Sequence, residues 1–593
     1  MQNVSQKWKD NQKELLVSES EIELSLRITD PDAYEDATAN ANTEIFYSQT
    51  NDVVSGVDYT MTPTATLEQN LWVLDGNSKV LDTSDYGTNR YASYYPCLND
   101  KTFENNPVVS LSFSQVFDKL LQGITIVWST LWDEYAEEFI VTAYNGETVV
   151  ATKTVTNNNT VKSIVYMDML NYDSITIEIV KWSLSCRRAR IEEVVIGIDK
   201  TYSKTDLFSY NHYQSVNPLS AELPKVEMSF SISNVDNIYN PHNPDALSKY
   251  LIERQEIKVR YGYKIDDKIE WIDGGRVYLS EWDAPQDGIT AEFKARDLLE
   301  FMQGTYYGGV YYPDGVSLYD LATDVLTDAN LPLNNDGSVK WKIDESLKNI
   351  YTAAPLPIDT HANCLQLIAN CGGCVFYQDR QGVLQMKPLE ITETDYSIDY
   401  FNSYSKSNIT LSKPIKDVRV GLYQYTTSTE NTELYKGIVN ISGTRELIIT
   451  YSGSATNVIA SISGGTLNNA VYYTNACRLT ITANGEVAVT ATGKSLQSVK
   501  SEISVYNADS GETITVDNVL ITDIGRATVI GEWVRSYHAN RMTLSSSWRA
   551  DPRLDALDVV ENENDYGTSK VLMTEVKYDY NGAFKGSGEG RVI

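Results

Sequence analysis

Over much of the chain hydrophobic positions recur with a period of two. Ile22, Leu24, Leu26 and Ile28 alternate with polar neighbours, the mark of a strand with one buried face. Residues 5 to 15 before it fit a short helix with Ser5 as N-cap. Residues 30 to 42 are acidic and Ala-rich, and 47 to 64 are rich in Ser, Thr, Asn and Asp, so a domain boundary is expected near 40 to 60. From there to about 200, short strands at 123–128, 139–144, 164–167, 174–180 and 191–198 are separated by polar turns. Ile175, Ile177 and Ile179 alternate cleanly, and Tyr144-Asn145-Gly146-Glu147 supplies an Asn-Gly hairpin turn. The pattern predicts an antiparallel β-sandwich.

Beyond residue 200 the texture changes. Val226, Met228, Phe230 and Ile232 alternate strictly, strands follow near 256–263 and 276–282, and helical stripes then appear. Ala295, Leu298, Leu299 and Met302 predict a helix over 294–302 that ends near Gly304. Leu318, Leu321, Ala322, Val325 and Leu326 predict a second behind Ser317, and a third runs over 361–370 to Gly372-Gly373. A hairpin is expected from Cys374 to Leu384 through Asp379-Arg380-Gln381-Gly382, so this stretch reads as α+β. Residues 410 to 515 read as all-β, with strands at 447–451 and 486–492, and a last helix at 527–542 presents Ile530, Trp533, Val534 and Tyr537. No solenoid period and no low-complexity tail is visible. The fold class is therefore mainly β with some α+β, in several domains.

Length supports that division, since 593 residues exceed one core and suggest roughly four domains at about 150 residues each. Hydrophobic residues at 42% and charged residues at 22% allow folded cores throughout. Forty Tyr against twelve Phe suit half-exposed strands whose rings keep a hydroxyl in water. The formal charge of −31 argues against gripping nucleic acid, because such affinity comes largely from Lys and Arg displacing counterions. It suits a conduit along which DNA passes without being bound. The start lacks a secretory pattern and no apolar run approaches the ~18 residues of a membrane span, so synthesis in a cytoplasm is expected. Six scattered cysteines predict reduced thiols.

Chemical motifs are sparse. Gly493-Lys494-Ser495 mimics the end of a phosphate-binding loop, but the glycine required upstream is Ala488 and the context is β, so nucleotide binding is set aside. His212, His242, His361 and His538 form no metalloprotease pair and none lies beside a nucleophile elbow. His361, Cys364, Cys371 and Cys374 cluster in a way that could hold zinc, but burial of the thiols along one helix face and the following strand is the stronger reading. No metal and no cofactor is therefore expected. With 80 acidic residues, chance carboxylate pairs carry no signal for glycoside cleavage. Arg187, Arg188 and Arg190, with Trp182, Tyr94, Tyr95, Trp128 and Trp132, could form a sugar platform of rings and guanidinium groups. Core packing is the stronger reading for Trp128 and Trp182, which adjoin alternating strands. Tyr94, Tyr95, Trp132 and Arg187 remain the candidate carbohydrate contacts, and no catalytic residue is assigned.

Three stretches together resemble a phage tail family. Met1-Gln2-Asn3-Val4-Ser5, with the helix and strand behind it, is similar to the openings of tail-tip proteins of phages and prophages of Gram-positive bacteria. Ala65-Thr66-Leu67-Glu68-Gln69-Asn70-Leu71-Trp72-Val73-Leu74-Asp75-Gly76, with Trp182-Ser183 and Arg190-Ile191, looks like the galactose-binding-type sandwich often inserted in such proteins. Residues 217 to 243, notably Pro218-Leu219-Ser220-Ala221-Glu222-Leu223-Pro224, resemble the hub module, as do 275 to 282. Towards the C-terminus Asp517-Asn518-Val519-Leu520-Ile521-Thr522, Trp548-Arg549-Ala550-Asp551-Pro552 and Gly582-Ala583-Phe584-Lys585-Gly586 do so too.

The resemblance implies a baseplate or tail-hub protein with two hub-type β-barrels. Residues 1–40 would start the first barrel, 41–200 hold the inserted sandwich, and 201–305 complete that barrel. An α+β hub domain over 306–405, a β-rich domain over 406–515 and the rest of the second barrel over 516–593 would follow. It implies a homotrimer in the virion tail tip, with tail-tube or distal tail protein, tape-measure protein and tail fibres as partners, and no enzymatic activity. The chain departs from many relatives in ending at Ile593 without a lysozyme, peptidase or fibre-like extension. The sandwich is expected either to contact host surface polysaccharide or to brace neighbouring tail proteins. The rival reading is a peripheral receptor-binding protein, and a secreted glycosidase ranks third for want of a leader and a carboxylate pair.

Overall fold

In the computed structural model strand Ser20–Thr29, the first long alternating segment, lies between Gly197–Ser203 and Glu256–Ile265, antiparallel to both. Its inward residues Ile22, Leu24 and Leu26 are fully buried, as their alternation requires. The structure describes residues 1–593 apart from 15, 30–32, 34–35, 55–65, 67, 69–70, 72–89, 119, 236, 238, 241, 244–253, 267, 286–287, 335–337 and 392. Strands hold 55% of the residues and helices 12%, so the protein is mainly β, multidomain, with some α.

The dominant element is a 13-stranded sheet. From Gly197–Ser203 and Ser20–Thr29 it continues through Glu256–Ile265, Lys268–Asp283, Thr290–Arg296, Lys225–Ser233 and Leu207–Ser215. It then passes directly into the C-terminal strands Gly567–Tyr580, Phe584–Val592 and Met542–Arg549, and ends at Asn408–Leu411. Val559–Asn564 branches off beside Gly567–Tyr580 and carries Glu393–Ile398. Strands expected for two barrels thus hydrogen-bond into one sheet, joined where Tyr210 faces Tyr580 and Tyr213 faces Lys577. One apolar core underlies it, running from Trp8 and Phe230 to Tyr578 and Phe584.

The sandwich occupies the chain between Thr29 and Gly197. A five-stranded sheet of Thr38–Ala41, Val108–Phe117, Tyr172–Trp182, Ala136–Asn145 and Thr148–Val155 faces three strands, Glu193–Val195, Leu121–Val127 and Lys162–Met169. The hairpin at Gly146 takes the positive φ of 58° that its turn needs. Trp128 and Trp182 are fully buried with ring centroids 6.0 Å apart, each tied by its indole N–H, to Ser163 Oγ and Glu134 Oε2 respectively. Strand Gly197–Ser203 belongs to the large sheet, where Arg27 and Lys162 both pair with Asp199.

A second core holds the α+β part together. Helix Leu318–Asp328 starts at Ser317, whose Oγ accepts from Asp320 N, and buries Leu318, Leu321, Ala322, Val325 and Leu326. Helix His361–Gly372 is capped by Thr360 and stops at Gly373 in the left-handed region, as the double glycine predicts. The helix expected over 294–302 is instead the end of strand Thr290–Arg296 followed by a 3₁₀ turn, Leu298–Met302. Asp297 breaks the stripe: extended, it caps Leu299 N, and Ala295 stays in the sheet opposite Met228.

The last helix is Ile524–Tyr537, shifted from 527–542, because Asp523 caps it from the N-terminal side and Met542 already begins a strand. The short strands read at 447–451 and 486–492 are parts of Ile415–Thr450 and Ala476–Tyr506, which pair along most of their length. Register shifts between 427 and 435 mark the division into inner and outer halves. The inner halves pack against the last helix, and the outer halves with Ala455–Ser463 and Thr466–Tyr472 enclose a small core around Ile441, Leu479 and Val489.

Candidate functional site

The sequence directs attention to one end of the sandwich. Strand Tyr91–Ala92 pairs with Arg190–Ile191, which sets the loop after Ala92 beside the run Arg187 to Arg190. Tyr94 is 48% exposed and Tyr95 67%, with ring centroids 4.7 Å apart and planes 79° to each other, an edge-to-face pair at the surface. Trp132 is half-buried in the turn closed by Ser129 and Glu134.

Arg187 is 8% exposed, and its Nε donates to Glu134 Oε1 at 3.0 Å. Glu134 also accepts from Trp182, and burial raises its carboxyl above the usual range against the pull of these donors. Arg190 is paired with Glu68 inside the domain; burial opposes ionisation of Glu68, yet Arg190 outweighs it and the carboxyl lies below its ordinary value. Arg188 donates from its backbone N to Glu68 Oε1 at 2.7 Å and from its side chain to Ser93 O at 3.1 Å. The guanidinium groups therefore brace the fold, and of the four candidate contacts Tyr94 and Tyr95 present the widest surface. The Ala65 to Gly76 motif lies outside the described residues except Thr66, Glu68 and Leu71.

The remaining motifs fall into structure. Gly493-Lys494-Ser495 runs within a strand, Lys494 opposite Asn431 and Thr456, so no loop of backbone N–H groups exists there. Cys364, Cys371 and Cys374 are buried, and burial pushes each thiol up to about 12. His361 is engaged at both nitrogens, by Gly304 O at 2.7 Å and Asp328 Oδ2 at 2.9 Å. Among the described residues no group of three His, Cys, Asp or Glu is arranged to hold a metal ion, and no helix is long and apolar enough to cross a membrane.

A junction that no local sequence pattern announces lies where the hairpin after helix His361–Gly372 meets the large sheet. Arg380, in the turn of the hairpin after helix His361–Gly372, is buried, with Nε on Asp555 at 2.7 Å and its terminal nitrogens on the carbonyls of Asp273, Pro552 and Leu554. Its guanidinium lies over the Tyr261 ring, whose hydroxyl meets His212 Nδ1 at 2.9 Å. Arg380 reads locally as an exposed turn residue, and only the folded chain reveals its partners. Beside it is a cleft of about 590 Å³ lined by Lys9, Tyr377, Asp379, Lys387, Arg553 and Asp558 among others.

No protein-family model matches the chain and no curated protein matches it. Among solved structures it is similar to the 43 kDa tail protein of prophage MuSo2 from Shewanella oneidensis, at 11% identity and TM-score 0.37, over 66% of this chain and 94% of that one. It is similar to prophage tail protein gp18 from Listeria monocytogenes, at 10% identity and TM-score 0.36, over 67% of this chain and 91% of that one. It is also similar to the PdpA-VgrG complex of Francisella, at 10% identity and TM-score 0.33, over 80% of this chain and 53% of that one.

Proposed function

We propose that this chain is a non-catalytic structural component of a bacteriophage-type tail tip, a hub that joins tail tube to distal parts and assembles with further copies of itself. The observation that carries the reading is the fusion of the two ends of the polypeptide in one sheet. Leu207–Ser215 and Gly567–Tyr580 pair over six positions, from Tyr210↔Tyr580 to Ser215↔Glu575, above a continuous core. Such a platform suits a rigid connector, and of the segments that resemble the hub module, parts of 217–243, 275–282, 548–552 and 582–586 lie in its strands. The charge of −31 accords with a part past which DNA moves unbound.

Imaging of the assembled particle tests this directly. Three copies on the tail axis, in contact with tube protein, are expected. A peripheral position, or a purified chain that stays monomeric at high concentration and ignores tail-tube protein, would overturn it.

A second role is favoured by the exposed Tyr94–Tyr95 pair: the sandwich contacts a host surface polysaccharide. Glycan-array binding that disappears in Tyr94→Ala and Tyr95→Ala is expected; binding untouched by both changes would leave the sandwich a brace between tail proteins.

A further inference from the structure

A cleft of about 390 Å³ lies away from the sandwich, between helix His361–Gly372, strand Glu512–Val516 and helix Ile524–Tyr537. Its size falls in the ~300–1,000 Å³ range of small-ligand sites. Its roof is Pro218, Leu219 and Ala221, part of the loop joining two strands of the large sheet. Asp359, just before the helix, and Asn363, Gln366 and Asn370 on it form one wall, and Thr515, Asp517, Trp533 and His538 the opposite one.

Three observations point to a ligand. The lining mixes carboxylates, amides, a hydroxyl and an imidazole with one indole and with aliphatic side chains such as Leu367, Ile514 and Val516, and contains no Lys or Arg. That set suits a neutral molecule bearing many hydroxyls, each able to donate and accept, rather than an anion. Trp533, partly exposed and stacked on Tyr537 at 5.3 Å and 11°, offers the aromatic surface on which the C–H face of a sugar ring packs. The roof and wall are also unsettled. Leu219 holds a φ of 54°, rare for a residue other than Gly. Gln366, 7% exposed, donates its Nε2, as Asn370 donates its Nδ2, to Ser220 O, both at 2.9 Å, while its Oε1 has no partner among the described residues. His538, pushed down to about 4 by burial and then by Arg591, is uncharged at neutral pH.

We infer that this cleft is a saccharide site for one or two neutral sugar rings, built from the faces of helix His361–Gly372 and the Trp533 indole. The inference does not rest on the sandwich reading, since no residue is shared. Saturation-transfer NMR on the full chain, with glucose, galactose, rhamnose, N-acetylglucosamine and their disaccharides at millimolar concentration, tests it. At least one sugar is expected to receive saturation, and the signal to weaken at least tenfold in Trp533→Ala. Because Trp533 also packs inward, Thr515→Arg serves as a second variant, filling the cleft from an exposed position. Tyr94→Ala with Tyr95→Ala is expected to leave this binding unchanged. No transfer to any sugar, transfer undiminished in Thr515→Arg, or transfer lost with the tyrosine pair would overturn the assignment. Glu512–Val516 is an edge strand of its sheet. Displacement of the sugar-free cleft's NMR signals by an extended peptide alone would therefore also overturn it.

Discussion

Arg380 and Asp555 meet at 2.7 Å, Nε to Oδ1, where the α+β hairpin touches the C-terminal strands of the large sheet. The same guanidinium reaches backbone carbonyls from two parts of the large sheet, Asp273 in strand Lys268–Asp283 and Pro552 and Leu554 beyond strand Met542–Arg549. Burial disfavours its charge, but Asp555 and the surrounding oxygens hold it firmly protonated.

Arg380→Ala should therefore lower unfolding free energy by about 3–5 kcal/mol, since removing one partner leaves buried acceptors unmatched. Arg380→Lys should recover only part, because an ammonium cannot span the same fork of oxygens. Urea denaturation followed by tryptophan fluorescence reads both; a loss under about 1 kcal/mol would show that the joint is held by apolar packing instead.

His212 gives a pH signature. Burial, then Arg380, pushes its imidazole down to about 3 in the folded chain. The unfolded chain binds the proton more readily between about 3 and 6.5, so the contribution is intact above pH 6.5 and is lost as pH falls below it, about 1.4 kcal/mol per unit. Wild type should lose about 2 kcal/mol more than His212→Asn between pH 7 and pH 5. Parallel pH profiles for the two would contradict the buried neutral ring.

In the sandwich, Glu134 and the tyrosine pair should separate support from surface. Glu134→Ala removes the acceptor of both Trp182 Nε1 and Arg187 Nε and should cost about 3–5 kcal/mol. Glu134→Gln should cost less, since an amide oxygen still meets the indole. Tyr94→Ala and Tyr95→Ala should stay within about 0.5 kcal/mol of wild type. Thermal melts of the four variants check the ordering.

At the end of helix His361–Gly372, Gly373 has φ 62°, and a Cβ there would lie 2.9 Å from Arg526 Nη2. Gly373→Ala should destabilise by about 1–2 kcal/mol through left-handed strain, with part of the effect arising from displacement of Arg526, whose Nε holds Cys371 O. Chemical denaturation reads the loss, and Gly443→Ala, whose Cβ meets nothing, isolates the backbone part.

Period and capping were legible residue by residue. Ser5, Ser317 and Gly373 sit where their side chains or their lack of one demand, and the alternation of Ile175, Ile177 and Ile179 buries all three. Long-range pairing was not legible. Nothing local to Tyr210 or Tyr580 states that they face each other across 370 residues, and the polar stretch around 426 to 433 hides the continuity of a 36-residue strand. Among the candidate contacts, the exposure of Tyr94 and Tyr95 in their loop was legible, while Arg187 resembled a surface cation and only the fold sets Glu134 against it.

The sandwich leaves and re-enters the large sheet at adjacent strands, with Thr29 directly opposite Gly197. To the platform the whole insertion is equivalent to one oversized hairpin turn, so its loss or exchange alters no strand order beneath it. A short turn in place of the insertion would thus bridge Thr29 and Gly197 while the underlying frame keeps its registration.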